Sequence, residues 1–215
     1  MKWILQAIAE MFAMVVAYLT NWLVVLWADE YGNLPYCLRW WQTYDNTLDV
    51  EWMLAEHNVP KFALYDYQKH YRYHYEDKDE NGFTAGYVEL LDGHFTIKER
   101  IQRYICRVCW VYRNSNYGFS YYVNGRDVDG SSVKVIKAVN EPNNEQWFSY
   151  VPGGVWDSTW CFYYCKKYCK RFRLRIYLGW KLKGVTSGKT RHMFAISVNP
   201  FKSVVGENNT QRRQK

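Results

Sequence analysis

Three features of the 215-residue sequence predict an α+β fold: a long apolar N-terminal run, a capped amphipathic helix near the middle, and alternating strand patterns towards the C-terminus. The run is expected to form a membrane-associated helix or helical hairpin. One small domain follows, with the amphipathic helix and then a C-terminal antiparallel sheet. The expected boundaries are an apolar segment at residues 1–28, a single domain at 29–204 and a polar tail at 205–215.

From Met11 to Ala28 the run MFAMVVAYLTNWLVVLWA is 18 residues long and carries no charge. Trp3, Ile4, Leu5, Ala7, Ile8 and Ala9 extend it upstream, interrupted by Gln6 and Glu10. A spanning helix needs about 20 residues, so length permits a crossing. Glu10 and the Thr20–Asn21 pair predict something less regular, two short arms that bend at the pair and dip into one leaflet. Trp3, Trp22 and Trp27 suit the interface, because indole joins a large apolar ring to one N–H donor. The competing reading is a buried core helix, which is usually shorter than this.

Behind that run, Trp40, Trp41 and Trp52 are expected at the membrane–water boundary. Tyr44-Asp45-Asn46-Thr47 predicts a turn, since Asp and Asn bond their own backbone there, and a short helix is expected over Asp49–Glu56. Residues 65–80 mix Tyr, His and charge without helical period, which predicts a solvated loop. Thr96-Ile97-Lys98-Glu99 is a capping box and predicts a helix over 97–113. Its expected core face is Ile97, Ile101, Tyr104, Ile105, Val108, Val111 and Tyr112, with Arg100, Arg103 and Arg107 on the other face. Strands are expected at Phe119–Val123, Val133–Val139 and Trp147–Val151. Residues 171–183 alternate most strictly, with Phe172, Leu174, Ile176, Leu178, Trp180 and Leu182 on one face. Arg171, Arg173, Arg175, Tyr177, Lys181 and Lys183 occupy the other. His192–Val198 is the expected partner strand, and the chain should fray after Pro200.

Charge is unevenly distributed. Asp29 to Asp92 holds 13 acidic and 5 basic residues, whereas the interval between Asp157 and Glu207 holds 11 Lys and Arg and no acid. Such asymmetry points to an anionic partner, lipid head groups or nucleic acid, unless the two parts face each other in the fold. The candidate binding residues are therefore Lys166, Lys167, Lys170, Arg171, Arg173, Arg175, Tyr177 and Lys181, together with Arg100, Arg103 and Arg107. Interleaved tyrosines would let single-stranded nucleic acid stack there, and anionic lipid would use the same charges without stacking. A plain solvated strand face fits the pattern as well.

Six cysteines and no clean signal peptide place the thiols in a reducing, cytoplasmic compartment. Cys161, Cys165 and Cys169 are the candidate metal ligands, with Cys106-x-x-Cys109 nearby in type. The second pair falls inside a continuous helix, however, where buried thiols are ordinary. Asp45, Asp49 and His57 are the candidate catalytic residues, because clustered carboxylates beside a His can do acid–base work. Turn and cap chemistry explains the same residues. No phosphate loop, nucleophile elbow or His-Glu-x-x-His motif occurs, and no cofactor is expected.

Leu38-Arg39-Trp40-Trp41-Gln42-Thr43-Tyr44-Asp45-Asn46, Arg107-Val108-Cys109-Trp110-Val111-Tyr112-Arg113-Asn114, Tyr117-Gly118-Phe119, Tyr177-Leu178-Gly179-Trp180-Lys181 and Asn199-Pro200-Phe201 occur in that order. Together they resemble the domain-of-unknown-function family 7338, small proteins of tailed phages. The resemblance implies a viral product expressed inside a bacterium, and it implies no activity and no site residues. The resulting expectation is a non-enzymatic accessory protein at the host inner membrane. It would be held there by residues 3–28, lie on the cytoplasmic side and bind a host or phage partner. A nucleic-acid-binding module and a membrane-bound hydrolase are the alternatives.

Overall fold

The computed structural model describes residues 2–44, 46–49, 59–78, 84–153 and 158–203. Its architecture is mixed α+β, as expected. Helix α1, Lys2–Val24, is uninterrupted and passes into a 3-10 turn at Val25–Trp27. The bend expected at Thr20–Asn21 does not form. Thr20 Oγ1 donates to the Val16 carbonyl at 2.7 Å, so its polar group is satisfied inside the helix. The chain divides into two compact units, residues 12–119 and residues 1–11 with 120–215.

In the unit of residues 12–119, the loop after α1 leads to a 3-10 helix at Tyr36–Trp41 and another at Lys61–Ala63. The short helix expected over Asp49–Glu56 lies, apart from Asp49, outside the described residues, as does Trp52. Residues 65–78 are not the expected loop. Asp66 caps a single helical turn, α2, Tyr67–His70, and strand β1, Tyr71–Lys78, pairs antiparallel with β2, Thr84–Leu90. Tyr67, Tyr71 and Phe95 form a small aromatic core beneath them.

Helix α3, Ile97–Arg113, begins at the expected capping box. Glu99 N–H donates to Thr96 Oγ1 at 3.2 Å, and Thr96 N–H donates to Glu99 Oε2 at 2.8 Å. Its buried face is rotated from expectation. Gln102, Cys106, Arg107, Trp110 and Val111 are buried, while Ile97 and Ile101 are 81% and 56% exposed. The main core joins Cys106, Trp110 and Val111 to Val24, Val25, Leu34, Leu48, Val59 and Ala63. After α3, Asn116 takes φ 65, a left-handed conformation that Asn tolerates, and the chain re-enters a helix. Helix α4, Tyr117–Tyr122, replaces the strand expected at Phe119–Val123.

The other unit is mostly sheet. Strand β3, Arg126–Asp129, is followed by the hairpin β4, Lys134–Glu141, and β5, Asn144–Val151, both longer than expected. Then come β6, Thr159–Lys167, β7, Phe172–Trp180, β8, Lys189–His192, and β9, Phe194–Ser203. The expected partner of residues 171–183 is thus two strands. β8 pairs with β3, and β9 continues past Pro200 as an edge of a five-stranded antiparallel sheet in the order β4-β5-β6-β7-β9.

Register assigns the faces of this sheet. One face carries the rows Ser149–Cys161–Gly179–Ala195, Trp147–Tyr163–Tyr177–Ser197 and Glu145–Cys165–Arg175–Asn199. The turn after β7 folds over it. Leu182 is fully buried in the core with Cys161, Lys183 N–H donates to Tyr177 Oη at 3.4 Å, and the Lys183 ammonium lies 4.3 Å from the Tyr163 ring. The opposite face carries Phe148–Phe162–Leu178–Ile196 and Gln146–Tyr164–Ile176–Val198. Sequence alternation placed the apolar row of β7 inside and the arginine row outside. In the fold Trp180 and Leu182 are fully buried as expected, but Arg173 is buried as well and Leu174, Ile176 and Leu178 are only half-buried.

Candidate functional site

Helix α1 is apolar enough and, at 26 residues with its 3-10 extension, long enough to cross a membrane. Its outward side is apolar, whereas a surface helix of a soluble protein turns a polar side outward. Leu5, Ile8, Met11, Phe12, Val15, Tyr18, Leu19, Trp22 and Leu26 are all exposed, most of them by half or more. At 3.6 residues per turn these positions fall within an arc of roughly 140° and extend about 30 Å along the axis. Glu10, Ala17, Asn21 and Val24 are buried on the other side.

Polar bonds hold that other side in place within each unit. In the unit of residues 12–119, Asn21 Nδ2 donates to Ser115 Oγ at 2.8 Å and Trp41 Nε1 donates to Thr20 Oγ1 at 3.0 Å. Tyr104 and Tyr112 donate from α3 to the Trp22 and Tyr18 carbonyls at 2.8 and 2.9 Å. In the other unit, Ser120 Oγ and Asn124 Nδ2 both donate to the Glu10 carboxylate, the second at 2.7 Å, and Asn124 Nδ2 reaches the Gln6 carbonyl at 3.2 Å. Trp3 meets Trp160 edge to face, with centroids 5.5 Å apart. The residues that broke the apolar run in sequence are therefore attachment points.

Of the candidate catalytic residues, Asp45 and His57 lie outside the described residues. Asp49 is buried and salt-bridged. Arg103 Nη2 lies 2.8 Å from Oδ2, and Arg107 donates through Nε to Oδ1 at 2.9 Å and through Nη2 to Oδ2. Tyr71 Oη donates to Oδ2 at 3.1 Å. The two guanidiniums also bond the Glu30 and Asp29 carbonyls, so the cluster ties the loop after α1 to α3. Gly32, at φ +77, lets that loop pass close, since a Cβ there would sit 2.8 Å from Asp49 N and Oδ2. Burial raises the Asp49 carboxyl, but the Arg107 and Arg103 guanidiniums outweigh it and hold the group below its ordinary value. A carboxylate held this way is a poor proton acceptor at neutral pH. Arg103 and Arg107, read as binding residues from sequence, are spent in this cluster, and Arg100 is exposed, with its Nε on the Phe95 carbonyl at 3.2 Å.

The basic residues near the C-terminus are dispersed. Lys166, Lys170 and Arg171 are exposed around the β6–β7 turn with Tyr168, while Lys167 and Lys181 are half-buried. Arg175 and Tyr177 are half-buried on the covered sheet face beside buried Arg173. Cys161 and Cys165 are buried on that same face, and Cys169 is exposed beyond the strand. Among the described residues, no three His, Cys, Asp or Glu side chains are grouped to hold a metal ion. Burial pushes the Cys106 thiol up to about 12 and raises Cys161 as well. Because a reagent must reach the sulfur, the exposed Cys37 and Cys169 are expected to react with an aromatic disulfide reagent at pH 8. Cys106, Cys161 and Cys165 should react only after denaturation. Prompt labelling of these three in the native protein would contradict the packing described here.

Fold and site define an α+β protein built on a helix with an exposed apolar face. The chain belongs to a family of unknown function, DUF7338, whose model matches residues 1–205. No curated protein and no solved structure matches it.

Proposed function

We propose that this protein is a monotopic membrane protein whose α1 lies in the plane of one leaflet, exposed side chains in lipid and opposite face on its own domain. The observation that carries the reading is the outward apolar row of α1, opposite an inward side on which Glu10 and Asn21 are buried and hydrogen-bonded. A row of apolar side chains that long is costly in water, and an in-plane helix buries such a face about 5–10 Å into the boundary. Insertion end-on would instead require the hydrogen-bonded polar partners of α1 to enter hydrocarbon. Trp22, Trp27 and Tyr18 stand on the exposed side, where indole and phenol suit the head-group level.

On this reading the protein is a non-enzymatic adaptor that holds a protein partner at the membrane. In the proposal that membrane is the inner membrane of an infected bacterium, a reading supported by the sequence resemblance to small proteins of tailed phages. Six free thiols, two of them exposed, suit the reducing cytoplasmic side. The test is flotation of the full chain with vesicles of bacterial phospholipid. The wild type is expected in the lipid fraction and the Phe12→Glu/Leu19→Glu variant in the aqueous fraction with an unchanged circular dichroism spectrum. Wild-type protein that stays aqueous and monodisperse without lipid or detergent would overturn the proposal.

A further inference from the structure

The five-stranded sheet has an apolar face that its own chain leaves open. At one end of that face Trp180 and Phe194 are buried in a core with Trp3 and Ala7 of α1 packed against it. The next two rows, Phe148–Phe162–Leu178–Ile196 and Gln146–Tyr164–Ile176–Val198, are only half covered, with Phe162 at 37% and Val198 at 63% exposure. A cleft of about 430 Å³ lies at the β4–β6 end of these rows, lined on this face by Ile136, Lys137, Gln146, Phe148, Phe162 and Tyr164 and reaching Trp147 and Tyr163 between them. That volume is in the range of a small-ligand site, and its walls are apolar and aromatic with few polar groups.

Charge on this face is of one sign beside the open rows. Register puts Lys134 opposite Tyr150 and Lys137 opposite Phe148 along the edge strand β4, and Lys166 opposite Leu174 beyond the second row. All three are exposed, and none forms an ion pair among the described residues. Glu141, the one acid that register places on this face, sits at the β4–β5 turn and accepts from Asn144 Nδ2 at 3.4 Å. An apolar cleft bordered by lysines matches a ligand with a hydrocarbon chain and an anionic head.

We infer that this open sheet face is a second lipid-binding surface, its cleft taking an acyl chain of an anionic phospholipid and Lys134, Lys137 and Lys166 meeting the head groups. The inference rests on the membrane reading only for where the chain works, because none of these residues belongs to α1. A peptide strand adding to β4 would use backbone groups of the edge and leave the face open. A second copy would bring the same lysines into apposition, which like-charge repulsion disfavours.

The experiment places benzoylphenylalanine at Phe162 in one full-length protein and at Leu19 in another. Each is irradiated with vesicles containing phosphatidylglycerol and with vesicles of phosphatidylcholine alone. The Phe162 probe is expected to form a phospholipid adduct on the anionic vesicles. Neutral vesicles, or Lys137→Gln/Lys166→Gln in the same protein, should lower its yield about tenfold or more, since each basic residue near an anionic surface contributes appreciably to attachment. If the Leu19 probe labels lipid and the Phe162 probe does not, the sheet-face inference fails while the α1 reading stands. If only the Phe162 probe labels lipid, the reverse holds. A crosslinked dimer through Phe162 would overturn the inference in favour of a self-association face.

Discussion

Asp49→Ala is expected to destabilise the protein by about 3–5 kcal/mol, the cost of stripping one partner from a buried charge pair. Removing the carboxylate leaves Arg103 and Arg107, 12% and 8% exposed at the side chain, facing each other without a counter-charge. It also removes the acceptor of Tyr71 Oη. Against a total stability of roughly 5–15 kcal/mol, the loss is large. A fall in melting temperature of about 10 °C follows for a chain of this size. Coupling gives a sharper test than the single variant. Arg107→Met alone leaves Asp49 with Arg103, and in the Asp49→Ala background it removes one of the two facing charges. The double variant should therefore be markedly more stable than the sum of the single effects predicts. A single variant that melts within a degree of wild type would show that the cluster does not hold the loop after α1 to α3.

The same carboxylate gives a pH signature. Its folded value lies below the ordinary one, so the folded state keeps the charge where the unfolded chain takes up a proton. Its contribution is complete above the unfolded value, near 4, and drains as pH falls through the folded value. Glu99 acts in the same direction, with its carboxyl pushed from 4.5 to about 2 by the Thr96 hydroxyl and amide and by His70. Stability is thus expected to drop between about pH 5 and pH 2. Asp49→Asn, which keeps the shape and removes the titration, should flatten the part of that fall that lies below about pH 4.

What was legible in the sequence was local. The Thr96–Glu99 box and the apolar recurrence after it needed no distant partner, and helix α3 runs over the expected residues. Which face of α3 turns inward depends on Asp49, separated from Arg107 by 58 positions and close to it only in the fold. The β1 strand did carry a period-two signal, Tyr71, Tyr73 and Tyr75 alternating with Arg72, His74 and Glu76, but its charge content resembles that of a loop. Phe119–Val123 is rich in strand-forming side chains, yet tertiary context wins. Ser120 in α4 and Asn124 two residues past its end both reach Glu10, and an extended strand at about 3.3 Å per residue would hold them too far apart to do so.

Periodicity alone does not say which side of an element its own chain covers. In α1, Gln6, Glu10, Ala17, Asn21 and Val24 mark a helical stripe in the sequence itself, and Glu10, Ala17, Asn21 and Val24 are buried in the fold. On β7, alternation points the arginine row outward, yet Arg173 is buried.

Gly118→Ala is expected to cost about 3 kcal/mol, at the upper end for adding one methyl to a packed site. Gly118 sits in α4 against the end of the 3-10 helix Tyr36–Trp41. A Cβ there would strike the Arg39 and Gln42 carbonyl oxygens and come within 2.9 Å of the Trp40 oxygen. All three are backbone atoms, so no side-chain rotamer relieves the clash, and either α4 or the 3-10 helix must move. Tyr44 and Tyr117, stacked with centroids 5.9 Å apart, and Trp40 and Phe119, edge to face at 5.6 Å, hold the two elements together on either side. Displacement would therefore loosen aromatic contacts as well. Trp40 is 48% exposed, so its fluorescence offers a local reading of the shift. The alanine variant should unfold at lower urea with an unchanged slope, and its native amide exchange should rise first over residues 36–44 and 117–122. Wild-type midpoint and exchange in that variant would mean that the two backbones do not approach as closely as described.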